Sequence, residues 1–141
     1  MGKILLIYPN PSGLFARMPY SVLCLAGYLR QRGVEADVCD LQLERKEDID
    51  YEKYDYFGFS VQFTGLQIKS ALKTARFLRD KGIKAPFIWG GIHPTITPEE
   101  TARNEFVNYV VRGEGEEALY QLLACLDSGK DPENVNGLTF K

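Results

Sequence analysis

Residues 3–8 (KILLIY) form a continuous apolar run with β-branched side chains, the pattern of a strand covered on both faces. A loop with Pro9, Pro11 and Gly13 follows. Pro19 then suits the first turn of a helix that places Val22, Leu25, Ala26 and Leu29 on one face and stops at Gly33. Residues 35–40 predict a second strand. The charged stretch 44–54 keeps neither period and predicts a poorly packed connection or a short helix. Residues 56–60 (YFGFS) predict a third strand. Beyond them Ile68, Ala71, Leu72, Ala75 and Leu78 fall at spacings of three and four, which predicts a helix closed by Gly82. Residues 86–90 (PFIWG) and 107–112 (VNYVVR) predict strands four and five. Leu119, Leu122, Leu123 and Leu126 supply the stripe of the last long helix, and residues 137–140 predict a short edge strand.

Strands alternating with helices at this pace imply right-handed crossovers and a doubly wound, mostly parallel α/β sheet with helices on both faces. About five strands in 141 residues fit a single domain, 1–141, with the flavodoxin-like strand order 2-1-3-4-5. Ligands of such sheets sit beyond the carboxyl ends of the strands, at the switch point. Function is therefore sought in four loops: 9–18, 61–65, 91–98 and 113–115. All four carry glycine, which lets backbone approach a ligand closely.

Composition alters this picture little, since 45% apolar and 26% charged residues are ordinary globular values. Seventeen basic and nineteen acidic side chains give a formal charge of −2 with no block of either sign, so neither nucleic acid nor an anionic membrane is an expected partner. The apolar run at 4–8 is far shorter than a signal sequence or a membrane span of about 20 residues. A cytoplasmic location is expected. Cys24, Cys39 and Cys125 are odd in number and widely spaced, which suits three buried thiols rather than a disulfide framework or a zinc site.

Several α/β chemistries are excluded by what the loops lack. The first loop reads YPNPSG, without the G-x-G-x-x-G of a dinucleotide fold, and no Gly-Lys-Ser/Thr run cradles phosphate. A phospho-acceptor domain needs acidic residues where this chain has Tyr8, Pro9 and Asn10, then Ser60, Val61 and Gln62. His93 is the sole histidine, and no G-x-S-x-G elbow accompanies it. The carboxylate pairs Glu99–Glu100 and Glu116–Glu117 fall in predicted first turns of helices, where acidic side chains suit the helix dipole. The chain holds no complete catalytic site of its own.

Five strings lie in register along the expected ligand edge: YPNP at 8–11, the helix of 19–30, GFSVQFTG at 58–65, WGGIHPTITPEE at 89–100 and VVRGEGE at 110–116. Together they resemble the cobalamin-binding domains that precede radical S-adenosylmethionine domains, as in class B radical methyltransferases and anaerobic magnesium-protoporphyrin monomethyl ester cyclases. The resemblance implies a corrinoid lying across that edge, with its nucleotide tail in a slot between the sheet and its helices. It places cofactor contacts at Pro9, Asn10 and Pro11, at Ser60, Val61, Gln62 and Thr64, at Gly90, Gly91, His93 and Pro94, and at Gly113, Glu114 and Gly115. Gly90 and Gly91 would clear room for the tail. Ser60, Gln62 and Thr64 would offer hydroxyl and amide groups.

The same residues have plainer readings. Thr64 with Gln67, and Thr97 with Pro98 and Glu100, match a capping box. Gly90–Gly91 fits a tight turn, Gly113 and Gly115 fit joints before a helix, and His93 fits a hydrogen bonder that anchors its loop. Older cobalamin folds place D-x-H-x-x-G after the first strand, and no histidine occurs there in this chain. A cobalt whose lower face takes no histidine from the first loop is expected. The C-x-x-x-C-x-x-C motif that holds a radical-enzyme cluster is also missing. The resemblance then implies that iron–sulfur cluster and S-adenosylmethionine belong to a following catalytic domain, with this chain as the first part of a longer polypeptide. The alternative is a stand-alone flavodoxin-like signalling or flavin-binding domain without corrinoid.

Overall fold

The computed structural model describes residues 2–11, 16–63 and 65–141. Six strands, β1 (Ile4–Tyr8), β2 (Ala36–Asp40), β3 (Tyr56–Ser60), β4 (Phe87–Gly90), β5 (Tyr109–Val111) and β6 (Leu138–Thr139), form one sheet in the order β2-β1-β3-β4-β5-β6. All neighbours run parallel except β5 and β6, which are antiparallel. The expected order is therefore present, with the short edge strand added beyond β5.

The two-residue period of the strands sorts side chains into two cores. Leu6, Ile88 and Val111 face α1 (Tyr20–Gln31) and α5 (Glu116–Asp127), meeting Val22, Ala26 and Leu29 of the first and Leu119, Leu122 and Leu123 of the second. Leu5, Ile7, Phe57, Phe59, Phe87 and Trp89 face the other way, against Ala71, Ala75 and Leu78 of α2 (Leu66–Asp80). The aromatic share of this second core is stacked closely, with Phe59 and Trp89 ring centroids 5.5 Å apart. Both long crossover helices stop where expected, at Gly33 and Gly82, whose N–H groups bond back to Arg30 and Arg79. Glu99–Glu100 and Glu116–Glu117 do occupy first turns, of α4 (Pro98–Ala102) and of α5.

Two expectations are corrected. The stretch 44–54 contains only a 3-10 turn at Lys46–Asp48, yet it is not poorly packed: Tyr51 and Tyr54 are buried against Phe57. Each phenol keeps its oxygen satisfied, Tyr51 donating to the Lys46 carbonyl (2.8 Å) and Tyr54 to the Asp37 carboxylate (2.7 Å). Charged neighbours in sequence masked two aromatic anchors. The three thiols are not all buried either. Cys39 is, and burial pushes its thiol up to about 12, but Cys24 is exposed and Cys125 partly so. Cys24 lies on α1 away from the Val22, Ala26 and Leu29 face. No helix among the described residues is long and apolar enough to cross a membrane.

Candidate functional site

The register sets out two rows of residues on the sheet face that looks toward α1 and α5. Leu6, Gly58 and Ile88 are aligned in an inner row, and Ser60, Gly90 and Val111 in an outer row at the carboxyl edge. Gly90 leaves the outer row bare where its neighbours carry side chains, while in the inner row Leu6 leans over Gly58, its Cδ2 only 2.8 Å from where a Cβ would stand. Above it lies a cavity of about 430 Å³, roofed by Ser21, Val22 and Leu25 of α1 and Leu119 of α5. That is the size of a small-molecule site. A Cβ on Gly90 would meet only ordinary contacts, the nearest being the Val111 carbonyl oxygen at 3.4 Å, so nothing but the missing side chain keeps this part of the floor low.

Polar groups gather at the mouth. The hydroxyls of Ser21 and Ser60 lie 2.7 Å apart, and the Gln62 amide donates to Ser60 Oγ at 2.8 Å. Thr95, on α3 (Ile92–Ile96), donates to the Gly91 carbonyl (2.7 Å) and accepts from the Gly113 N–H (2.9 Å), which joins the loops after β4 and β5. Glu114 and Glu116 add carboxylates to the lining, while Ile92 and Ile96 are exposed beside the opening.

Two residues fix the loops behind this mouth. Gly91 has φ 109° and ψ −172°, in a region essentially reserved for glycine. A Cβ there would stand 2.5 Å from the Val61 carbonyl oxygen, so the backbones after β3 and β4 touch only because Gly91 has none. Gln67, fully buried on α2, accepts from the N–H groups of Gln62 (2.6 Å) and Phe63 (2.8 Å) and donates to the Pro9 carbonyl (2.9 Å). One side chain thereby holds the first and third loops together.

Residues 18–123 match the family model described as the B12 binding domain. The chain belongs to the B12-binding domain family. Among curated proteins it is 29% identical, over 98% of its length, to anaerobic magnesium-protoporphyrin IX monomethyl ester cyclase of Rubrivivax gelatinosus. It is 28% identical, over 99% of its length, to an uncharacterized methyltransferase of Pyrococcus horikoshii. The chain spans 27% and 32% of those two proteins. Two solved structures share the fold. The radical S-adenosylmethionine methyltransferase TsrM of Kitasatospora setae, with cobalamin and a 4Fe–4S cluster bound, matches 98% of this chain and 29% of its own at TM-score 0.82 and 23% identity. The cobalamin-dependent S-adenosylmethionine radical enzyme OxsB, with aqua-cobalamin and S-adenosylmethionine bound, matches 99% and 21% at TM-score 0.81 and 20% identity.

Within this B12-binding domain, seven of the expected contact residues line the cavity: Ser60, Gln62, Gly90, Gly91, Gly113, Glu114 and Gly115. Val61 turns its side chain into the opposite core and contributes its backbone, whose carbonyl accepts from the His93 N–H at 3.2 Å. Pro9 and Asn10 are tied toward α2, through Gln67 and through a bond from the Asn10 N–H to Ser70 Oγ (3.0 Å). Pro11 is buried. His93 and Pro94 sit in α3 and do not line the cavity, and the His93 ring is turned toward Thr97. Thr64 lies outside the described residues. The capping box read at Thr64 falls with it, while its Gln67 accepts from Gln62 and Phe63; the box read at Thr97 does not form, because α3 directly precedes α4 and the Thr97 hydroxyl donates to the His93 carbonyl. The roofing residues Ser21, Val22, Leu25 and Leu119 were legible only as helix faces. Gly58 was the available signal, since glycine inside a strand marks a close approach.

Proposed function

We propose that this domain holds cobalamin at the carboxyl edge of its sheet and presents it to a radical S-adenosylmethionine catalytic domain of the same longer polypeptide, for methyl transfer or oxidative ring formation of the cyclase-like kind. The observation that carries the reading is the glycine-floored cavity between the sheet and α1 and α5, opening at the switch point of a B12-binding fold. The slot floored by Gly90 would hold the nucleotide tail. Ser60, Gln62 and the backbone of 113–115 would meet its polar atoms at the mouth, and the loops after β1, β3 and β4, from Pro9 to Pro11, at Val61 and at His93 and Pro94, would hold the macrocycle. Exposed Ile92 and Ile96 supply apolar contact beside it.

When bound, the corrinoid supplies a cobalt centre able to accept and pass on a methyl group or to support a radical reaction. The chain's part is to hold the tail out of water and to leave the outer face open to the catalytic partner. Its sole histidine stands in α3 rather than after β1, so the first loop offers cobalt no imidazole. The cluster and S-adenosylmethionine belong to that partner, and the relatives, of which this chain spans less than a third, agree with a fused arrangement.

Incubating the protein with hydroxocobalamin and desalting it should leave a red protein fraction with about one corrinoid per chain. Gly90→Leu, whose Cβ would meet nothing closer than the Val111 carbonyl oxygen at 3.4 Å and whose remaining atoms would enter the slot, should abolish retention. A colourless wild-type fraction under both neutral and mildly reducing conditions would refute the proposal.

A further inference from the structure

We infer that the slot selects its corrinoid by the base at the end of the tail: a base whose buried edge is hydrocarbon is accepted, and one carrying an exocyclic amino group there is disfavoured. This rests on the cobalamin reading above and goes beyond it, because a corrinoid family comprises members with benzimidazole-type and purine-type tails that share one macrocycle.

The two rows of the floor differ in chemistry. Among the described residues, every side-chain hydroxyl or amide that lines the cavity stands at its outer end: Ser21, Ser60, Gln62 and Thr95. The inner row is Leu6, Gly58 and Ile88, roofed by Val22 and Leu119, and offers carbon alone. Its backbone is committed too. β1, β3 and β4 each have a strand on either side, so their N–H and C=O groups are engaged in the parallel ladders. Water hardly reaches this end, since Leu6, Val22, Ile88 and Leu119 are at most 3% exposed.

A donor carried into that end meets no side-chain acceptor among the described residues. The nearest hydroxyls are one pleat away, about 6–7 Å along the strand, where Ser21, Ser60 and Gln62 are hydrogen-bonded to one another. Burying an unpaired polar group costs far more than burying carbon, whereas two methyl groups gain from the same dry surface. The discrimination is thus set by what the inner row lacks, and by position along the slot: polar atoms of the ribose and phosphate linker fall at the polar mouth, and only the base goes in deep.

The test measures dissociation constants of the whole chain, by absorbance titration and equilibrium dialysis, for three probes: hydroxocobalamin with its dimethylbenzimidazole tail, the adenine-tailed analogue, and tail-less dicyanocobinamide. Hydroxocobalamin should bind most tightly, with the adenine-tailed analogue roughly 10–100-fold weaker. Val22→Thr, nearly isosteric but bringing a hydroxyl to the inner end, should narrow that ratio. Equal affinities for the two tailed corrinoids would overturn the selection while leaving cobalamin binding intact. Cobinamide binding as tightly as hydroxocobalamin would also overturn it, by removing the tail from the slot. Failure of all three probes to bind would sink the cobalamin reading itself. Should Val22→Thr fold poorly, the three-probe series on the unaltered chain decides alone; should it fold and leave the ratio unchanged, the inner row is not where the base is read.

Discussion

Gly91→Ala isolates the contact on which the geometry of the mouth depends. The new methyl group would lie 2.5 Å from the Val61 carbonyl oxygen and 2.8 Å from Gln62 Nε2, and the backbone would keep a φ of 109° that an L side chain rarely adopts. Strain of the glycine-only conformation costs about 1–3 kcal/mol, and forcing a methyl into occupied space costs a similar ~1–3 kcal/mol. The neighbour on one side is backbone held in a ladder, with Val61 N–H bonded to the Gly90 carbonyl at 2.8 Å, so it has little freedom to give way. A loss of about 2–6 kcal/mol is expected, out of a total of roughly 5–15 kcal/mol for a domain. In thermal unfolding that is a fall of roughly 6–18 °C at this chain length. Gly90→Ala is the internal control. Its φ is not in the left-handed region and its nearest contact is an ordinary 3.4 Å, so the midpoint should move by no more than about 1 kcal/mol. Urea midpoints at constant m-value provide a second reading. If Gly91→Ala unfolds within about 2 °C of Gly90→Ala, the close approach of the two loops is not what Gly91 is for.

Gln67→Leu should lower stability by at least about 2 kcal/mol, because the N–H groups of Gln62 and Phe63 and the Pro9 carbonyl lose their partner together. Hydrogen exchange at those two amides should accelerate well beyond that of β3, and unchanged protection would contradict the bridge. Thiol labelling of the native protein near pH 8 should proceed fastest at Cys24, more slowly at Cys125, and at Cys39 only on unfolding, since burial holds that thiol up at about 12; early modification of Cys39 in a mass-spectrometric time course would disprove the core placement. Burial raises the phenols of Tyr51, Tyr54 and Tyr56 above their ordinary value, with hydrogen bonds to Asp37 and Asp127 adding to the effect for the last two. A raised folded value means stability that is complete below about pH 10 and is lost as pH climbs through the folded values. The Tyr54 hydroxyl and Lys3 hold the Asp37 carboxyl below the usual range, so its share is present above about pH 4 and lost in stronger acid. A urea midpoint unchanged between about pH 8 and pH 11 would count against the alkaline half of this statement.

Strand order was readable from sequence because most strands are short and apolar, and parallel crossovers leave few ways to arrange them. The ends of the elements were less readable. Residues 91–98 look like a loop, since Gly91, Pro94 and Pro98 interrupt any helical stripe, yet Pro98 sits in the first turn of its helix and Gly91 just ahead of the other. The site divides along the same line. Glycines and mouth residues on loops were legible because their types are unusual there. Val22, Leu25 and Leu119 were not, because an apolar residue that roofs a slot has the same period as one that fills a core. Gln67 was hidden differently: its three bonds run to residues 5, 4 and 58 positions away, and no local pattern announces a side chain that reaches two loops at once.

That double use has a consequence for how the domain binds. Leu6, Val22, Ile88 and Leu119 belong to the α1 and α5 core and also bound the cavity, so the slot cannot be widened without loosening the packing that holds the helices to the sheet. The mouth is braced from the other face, by Gln67 on α2 and by the contact of Gly91 with Val61. A site fixed on both sides spends little of its binding free energy on ordering loops, which favours a ligand already matched to its shape and penalises one that must remodel it. Substitutions that leave a hole in the inner row should therefore weaken folding and tail binding together, whereas those in the outer row, where Gly90 and Ser60 face the opening, should separate the two. If Gly90→Leu and Ser60→Ala lowered the melting temperature as much as Leu119→Ala does, the outer row would be structural as well, and the division between a polar mouth that recognises and a carbon interior that both folds and selects would fail.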